Sequence, residues 1–135
     1  MPKGIHQASW KEIVDVLGFS TRRAWLLEGL QDALAELARS GCRLAYLDGS
    51  FVTEKRDPGD YDLCWEMDGV DIAGLDPILT RVTPPRAEQH AKYRGDILPN
   101  LVEESSGVPL VDYFQLDKET GESKGIAALD PRCLP

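Results

Sequence analysis

The period of the hydrophobic pattern changes near Gly41, and this change restricts the chain to folds that combine helices with a sheet. Before Gly41, leucine and alanine recur at helical spacing from Leu26 to Leu37, with polar residues on the opposite face. After it, residues 43–48 and 61–67 are short and largely apolar, and the first of them suits a central strand. The sequence therefore predicts an α/β (α+β) domain in which a long helix packs one face against a sheet.

Local signals predict where the other elements begin and end. Ser9 and Glu12 have the spacing of a capping box, so a first helix is expected to begin there and to end at Gly18. A second helix is expected over residues 21–39. Shorter helices are predicted over residues 75–80 and 86–93, and further strands over residues 96–99 and 125–129. Residues 111–116 fit a helical turn or a strand equally well.

Length and charge limit the domain count and the partners. A chain of 135 residues has the length of one domain, so residues 1–135 are predicted to fold as a single domain. Its formal net charge is −8 at pH 7. Duplex DNA is bound through clustered Lys and Arg, so this acidic balance excludes duplex DNA as an expected partner. A small, locally basic pocket remains compatible with the charge.

The cysteines and the distribution of apolar residues predict the compartment. Cys42, Cys64 and Cys133 include no CxxC pair, which argues against a zinc knuckle and against a disulfide framework. The N-terminus has no apolar signal region, and no run of about 18 apolar residues is present to span a membrane. We therefore expect a cytoplasmic protein with reduced thiols and no membrane partner.

The most informative stretch joins two predicted strands. The first runs into Gly49-Ser50, nine residues follow, and Asp60-Tyr61-Asp62 then begins the second. Because side chains alternate along a strand, Asp60 and Asp62 share one face, with Cα atoms about 6.6 Å apart. Such carboxylates suit Mg²⁺, which completes its shell with water and substrate phosphates. Gly49 and Ser50 offer amides and a hydroxyl to phosphate oxygens, so the combined pattern indicates a phosphate and metal site.

This stretch resembles the signature of the polymerase-beta-like nucleotidyltransferase superfamily. Other segments are similar to a small prokaryotic family of minimal nucleotidyltransferase-like proteins, namely Gly4-Ile5-His6, residues 92–96, Phe114-Gln115 and Lys124-Gly125-Ile126. The resemblance implies a mixed sheet flanked by helices, with the site at one edge. It also implies Mg²⁺ or Mn²⁺ as cofactor and a nucleoside triphosphate as substrate, whose α-phosphorus is attacked by an acceptor hydroxyl.

The resemblance also implies roles for particular acids. It makes Asp60 and Asp62 catalytic metal ligands, and it requires a third acid on a neighbouring strand that also serves as general base. Asp96, at the head of a short apolar strand, is the favoured third acid, and Asp112 is the alternative.

Basic residues are candidates for contact with the triphosphate or with an acceptor. Lys92 and Arg94 form a local reversal of charge in an acidic chain, although a solvated helix face explains them equally well. Lys55 lies between the Gly-Ser pair and the two acids, and is a second candidate for phosphate binding.

The sequence leaves two function classes open. The first is an enzyme that transfers a nucleotide from a nucleoside triphosphate to a protein or RNA acceptor. The second is a non-catalytic, antitoxin-like module of a toxin–antitoxin-type pair, which binds a nucleotide or a protein partner. A toxin that modifies tRNA ends is a weaker third interpretation. Since only residues 63–135 follow the acid pair, any pocket for the base must be shallow or supplied by a partner.

Overall fold

A computed structural model of the chain describes residues 4–48, 59–80, 87–100 and 125–133. In these ranges the α-helices are α1 (Trp10–Leu17), α2 (Thr21–Arg39) and α3 (Ala87–Tyr93). The strands are β1 (Gly4–Gln7), β2 (Ala45–Asp48), β3 (Asp62–Trp65), β4 (Asp96–Pro99) and β5 (Gly125–Leu129). Short 3₁₀ helices cover Ile72–Gly74, Pro77–Thr80 and Pro131–Cys133.

The strands form one five-stranded mixed sheet in the order β1-β5-β2-β3-β4. β1 runs parallel to β5, and β3 runs parallel to β4. β2 lies between β5 and β3 and is antiparallel to both. The predicted α+β class and mixed sheet are therefore confirmed, and so is the prediction that β2, buried along its whole length, is a central strand.

Most predicted boundaries agree with the structure. Ser9 and Glu12 form the capping box, α1 ends before Gly18, and α2 covers the predicted range. Residues 77–80 form a 3₁₀ turn that begins at Pro77, rather than an α-helix. The hydrophobic pattern does not predict β1, which is stabilised by parallel pairing with β5 at the far end of the chain. No helix in the described ranges is long and apolar enough to cross a membrane.

The two faces of the sheet are buried in different ways. The main core lies on the helix side, where leucines of α2 pack with the fully buried Leu47, Leu63 and Trp65. A smaller cluster, which includes Tyr46 and Cys64, lies on the opposite face. Because side chains alternate along a strand, the neighbours of each core-facing residue point to this second face.

A polar network ties the segment after β3 to α2 and α3. The Asp76 carboxylate accepts hydrogen bonds from Lys92 Nζ and Tyr93 Oη, both at 2.6 Å, and from the amide of Ile78 at 3.1 Å. The amide of Asp76 donates to Glu36 of α2 at 2.8 Å. Burial raises the pKa of the Asp76 carboxyl, but these hydrogen bonds outweigh burial and hold that pKa below its ordinary value.

Gly29, in the middle of α2, allows the end of α3 to approach. A Cβ atom at this position would lie 2.9 Å from the carbonyl carbon of Tyr93 and closer still to its oxygen. Any side chain at Gly29 must therefore displace the end of α3 and the turn that leads into β4.

The Asp76 network predicts how stability depends on pH. A carboxyl whose pKa is lowered by folding stabilises the protein above its unfolded pKa, about 3.9, and this stabilisation is lost as the pH falls through the folded pKa. Asp76→Asn should therefore lower the free energy of unfolding by about 1–2 kcal/mol at pH 7 and by less at pH 3, as measured by urea denaturation. Asp68→Asn, at a side chain that is 93% exposed, is the matched control and should have little effect. An equal loss for Asp76→Asn at both pH values would contradict the expectation.

The close approach at Gly29 predicts the sign of a helix substitution. Alanine normally stabilises a helix interior by about 1 kcal/mol relative to glycine. At Gly29 the clash with Tyr93 should reverse this, and Gly29→Ala should lower the free energy of unfolding by about 1–3 kcal/mol. Gly59→Ala is the control, because a Cβ atom at Gly59 meets nothing within 4 Å. A Gly29→Ala protein more stable than the wild type in urea would show that α3 is packed differently.

Candidate functional site

Aspartates of three neighbouring strands lie side by side at one end of the sheet. Asp62 of β3 is the register partner of both Asp48 of β2 and Asp96 of β4. All three alternate with core-facing residues, so they lie on the face opposite the helices. Asp48 is buried, whereas Asp62 and Asp96 are partly exposed. Neighbouring strands are about 4.8 Å apart, so this row concentrates negative charge.

Asp60, His90 and Asp96 form a compact group beside the row. His90 Nε2 lies 2.8 Å from Asp96 Oδ1 and 3.9 Å from Asp60 Oδ2. One potential ligand atom of each residue lies within 4.8 Å of the other two. Among the residues that the structure describes, Asp62 is not a member of this group. The side chains of His90, Asp60 and Asp96 are 42%, 36% and 19% exposed, so a solute can reach the group.

The ring of Tyr61 fixes the chain between Asp60 and β4. Tyr61 is fully buried in the main core. Its hydroxyl donates to the carbonyl oxygen of Tyr93 at 2.8 Å, and its carbonyl oxygen accepts from the amide of Asp96 at 2.9 Å. Burial raises the pKa of this phenol well above its ordinary value, so the phenol remains a donor. The hydrogen bond from the Asp96 amide to the Tyr61 carbonyl thus fixes the parallel register of β3 and β4, in which Asp62 is the partner of Asp96.

The turn between α3 and β4 passes close to that ring. Arg94 has a φ of 70°, the left-handed conformation that ends many helices, and its amide donates to carbonyls of the last turn of α3. Gly95 follows, and a Cβ atom at Gly95 would lie 2.7 Å from the ring of Tyr61. The absence of a side chain at Gly95 therefore lets the chain pass the ring and place Asp96 at the start of β4.

An arginine–tryptophan stack holds both acid-bearing segments to α2. The guanidinium groups of Arg22 and Arg94 lie over the ring of Trp25, 4.5 and 4.4 Å from its centroid. Arg22 also donates to the carbonyl oxygen of Gly59, and Arg94 to that of Trp25, each at 2.5 Å. The segments that lead into Asp60 and into β4 therefore start from fixed points on one helix.

The hydrogen bonds of Gln89 fix the position of His90 relative to Asp96. Gln89 is 1% exposed, and its side-chain amide pairs with the backbone of Ile97 in both directions, at 2.8 and 2.9 Å. It also donates to the carbonyl oxygen of Ile78 at 2.8 Å. Since His90 follows Gln89 and Ile97 follows Asp96, this pairing keeps the imidazole next to the carboxylate.

The two basic candidates near β4 have other partners in the structure. Lys92 Nζ binds the Asp76 carboxylate at 2.6 Å, and Arg94 Nη1 lies 3.1 Å from Glu28 Oε2. Either side chain would have to exchange these partners before it bound a phosphate. The predicted role of Lys92 and Arg94 in phosphate binding stays a prediction.

Several residues of the predicted site lie outside the described residues. They are Gly49, Ser50 and Lys55, and also Asp112, the alternative third acid. Asp96 heads a strand adjacent to the one that begins at Asp62, which is where the third acid was expected. Its role as general base stays a prediction.

Asp48 and His90 are two residues of the site that the sequence does not predict. Asp48 enters it because β2 and β3 are antiparallel and in register, a pairing that no local pattern specifies. Its one signal is an aspartate directly before the Gly-Ser pair. His90 belongs to no sequence motif, and its contact with Asp96 depends on how α3 packs on β4.

The side chains that converge here fit a divalent cation. Asp60 and Asp96 offer carboxylate oxygens and His90 offers a ring nitrogen, close enough for small side-chain rotations to place all three around one ion. Asp62 adds a carboxylate at the next position of the sheet. These residues are therefore compatible with the Mg²⁺ or Mn²⁺ that the resemblance implies.

Comparison with known proteins places the chain in a family. Residues 1–130 match the profile of DUF6932, a family of unknown function. The chain belongs to the DUF6932 family. No curated protein and no solved structure has significant similarity to it. The family assignment names no activity and does not link the chain to the nucleotidyltransferases.

The pairing of Gln89 predicts that this residue holds α3 on the sheet. Gln89→Leu keeps the approximate size but leaves buried backbone groups of Ile97 and Ile78 without partners, which should lower the free energy of unfolding by about 2–4 kcal/mol in urea denaturation. Gln7→Leu makes the same chemical change at an exposed position and should stay within about 0.5 kcal/mol of the wild type. Equal stabilities of the two variants would show that the Gln89 pairing contributes nothing.

Proposed function

We propose that the chain is a nucleotidyltransferase-like protein that transfers a nucleotide from a nucleoside triphosphate to a protein or RNA acceptor in a metal-dependent reaction. The observation that supports this most is the pairing of Asp62 with Asp96 on adjacent parallel strands, with Asp60 two residues upstream. Two acids on one strand and a third on the next are what the resemblance requires for holding divalent cations.

The protein's own residues would bind the cation, orient the acceptor and take up its proton. Mg²⁺ or Mn²⁺ held by Asp60, Asp62 and Asp96 would neutralise charge on the phosphate oxygens. The Asp96 carboxylate would accept the proton of the acceptor hydroxyl. The acceptor oxygen then forms a bond to the α-phosphorus, and the bond to pyrophosphate breaks.

Negative charge makes binding of a nucleotide depend on a cation. The row formed by Asp48, Asp62 and Asp96 repels a triphosphate and also raises the energy of its own members. A bound cation reverses the sign of this interaction. A nucleoside triphosphate should therefore bind as its metal complex.

Exposed apolar side chains favour the antitoxin-like, partner-binding role as a second candidate. Val16 and Phe19, at and just after the end of α1, are 63% and 50% exposed. Exposed apolar side chains are typical of protein interfaces where they form a contiguous patch. A non-catalytic module would use it to bind a partner and would keep the nucleotide site without transferring anything.

The acid site predicts metal-dependent nucleotide affinity. ATP and GTP, titrated by calorimetry, should bind with Mg²⁺ present and only weakly without it. Asp62→Asn should lower the Mg²⁺-dependent affinity by about tenfold or more, which corresponds to about 1.4 kcal/mol. It should leave folding stability unchanged or raised, because it removes one of several clustered like charges. Asp68→Asn, an exposed aspartate after β3, is the matched control.

Asp96→Asn separates nucleotide binding, measured by the same titration, from nucleotide transfer, measured by labelling. With labelled nucleotide, Mg²⁺ or Mn²⁺ and a cell lysate, this variant should lose transfer and keep most of its nucleotide affinity. Tight nucleotide binding that needs no metal and is unchanged in Asp62→Asn would contradict the metal assignment. Intact binding with no labelled acceptor in the wild type would favour the partner-binding candidate.

A further inference from the structure

In the group formed by Asp60, His90 and Asp96, His90 offers a ring nitrogen as a possible metal ligand, whereas the other two residues offer carboxylate oxygens. Its Nε2 donates a hydrogen bond to Asp96 Oδ1 at 2.8 Å, and the same nitrogen lies 3.9 Å from Asp60 Oδ2. Two ligands at adjacent positions around an ion with bonds of about 2.1 Å are roughly 3 Å apart. The imidazole and the Asp96 carboxylate are therefore already separated like two ligands of one ion, with a proton between them.

We infer that His90, Asp60 and Asp96 together bind a first-row transition-metal ion, Mn²⁺ or Zn²⁺, in preference to Mg²⁺. The inference deepens the proposed function and rests on it only in so far as this ion serves the same site. It assigns a ligand, His90, that the acid pattern alone does not supply, and it changes the class of metal expected.

The chemistry of the ligands determines this preference. Mg²⁺ is bound almost entirely through oxygen, whereas imidazole is a good ligand for zinc and other transition metals. The carboxylates of Asp60 and Asp96 carry two negative charges, so a divalent ion with neutral His90 makes an electrically balanced centre. For such mixed nitrogen and oxygen ligands the expected order of affinity is Zn²⁺ above Mn²⁺ above Mg²⁺.

Buried contacts fix the positions of His90 and Asp96, so their proximity is not a chance contact between two mobile surface side chains. The adjacent Gln89 is buried and paired with the backbone of Ile97, so the helix turn that carries His90 cannot shift along β4. Asp96 is held from the other side by the hydrogen bond of its amide to Tyr61. Buried contacts thus fix both potential ligands, His90 and Asp96, before an ion binds. This lowers the conformational entropy that is lost on binding.

The test measures Mg²⁺, Mn²⁺ and Zn²⁺ affinities by calorimetry on the untagged full chain, without nucleotide, with free Mn²⁺ also followed by EPR. The protein carries Cys133→Ser, because Cys133 is exposed and its thiol would compete for zinc. Cys42 and Cys64 are buried, and burial raises the pKa of the Cys64 thiol to about 12, so these thiols stay protonated.

His90→Gln is the decisive variant, because glutamine can still donate a hydrogen bond to Asp96 but offers no ring nitrogen. It should weaken Mn²⁺ and Zn²⁺ binding by roughly tenfold to a hundredfold and leave Mg²⁺ binding nearly unchanged. His6→Gln removes the other histidine, on β1 at the opposite end of the strand order, and should change none of the affinities. Urea denaturation of each variant confirms that it is folded.

Two results would overturn the inference: Mg²⁺ that binds as tightly as Mn²⁺ and Zn²⁺, or affinities that His90→Gln leaves unchanged. Neither result touches the proposed function, which stands if a nucleotide still binds with Mg²⁺ and depends on Asp62. Conversely, a transition-metal site that depends on His90, in a protein that binds no nucleotide, supports the inference and removes the proposed function.

Discussion

Three parts of the chain, β3, α3 and β4, meet at the buried phenol of Tyr61. Its hydroxyl holds the end of α3 through Tyr93, its ring faces Gly95, and its carbonyl oxygen holds the first residue of β4. None of these contacts involves a carboxylate group of the site, yet together they determine which residue of β4 lies beside Asp62. A slip of one residue would turn Asp96 into the core and bring Ile97 to the acid face.

The site is therefore assembled by the core rather than by its own attractions. Clustered carboxylates repel one another, so the arrangement of Asp48, Asp62 and Asp96 costs stability that buried contacts elsewhere must offset. The buried leucines of α2 supply such contacts, and the partly exposed stack of Trp25 with Arg22 and Arg94 adds to them at the surface. Like-charged side chains that the surrounding structure holds close together are typical of functional sites, because their proximity does not itself stabilise the fold.

The sequence predicted what depends on near neighbours along the chain. The capping box at Ser9 and the length of α2 follow from helix caps and helical period. The pairing of β1 with β5 and the register that adds Asp48 depend on residues far apart in sequence, and no local pattern encodes them. His90 belongs with this second kind, because its contact with Asp96 requires the packing of α3 on β4.

The imidazole of His90 would determine whether the cation stays bound when the nucleotide leaves. Under the proposed function, cation and nucleotide bind to the same place, and each neutralises charge that opposes the other. Linkage then requires that a metal which raises the affinity for a nucleotide has its own affinity raised by the same factor. With Mg²⁺, which Asp60 and Asp96 hold without help from nitrogen, the triphosphate itself must complete the coordination shell. With a transition metal anchored by His90, the cation would stay when the nucleotide leaves, so the charges of Asp60 and Asp96 would already be neutralised when the next triphosphate arrives.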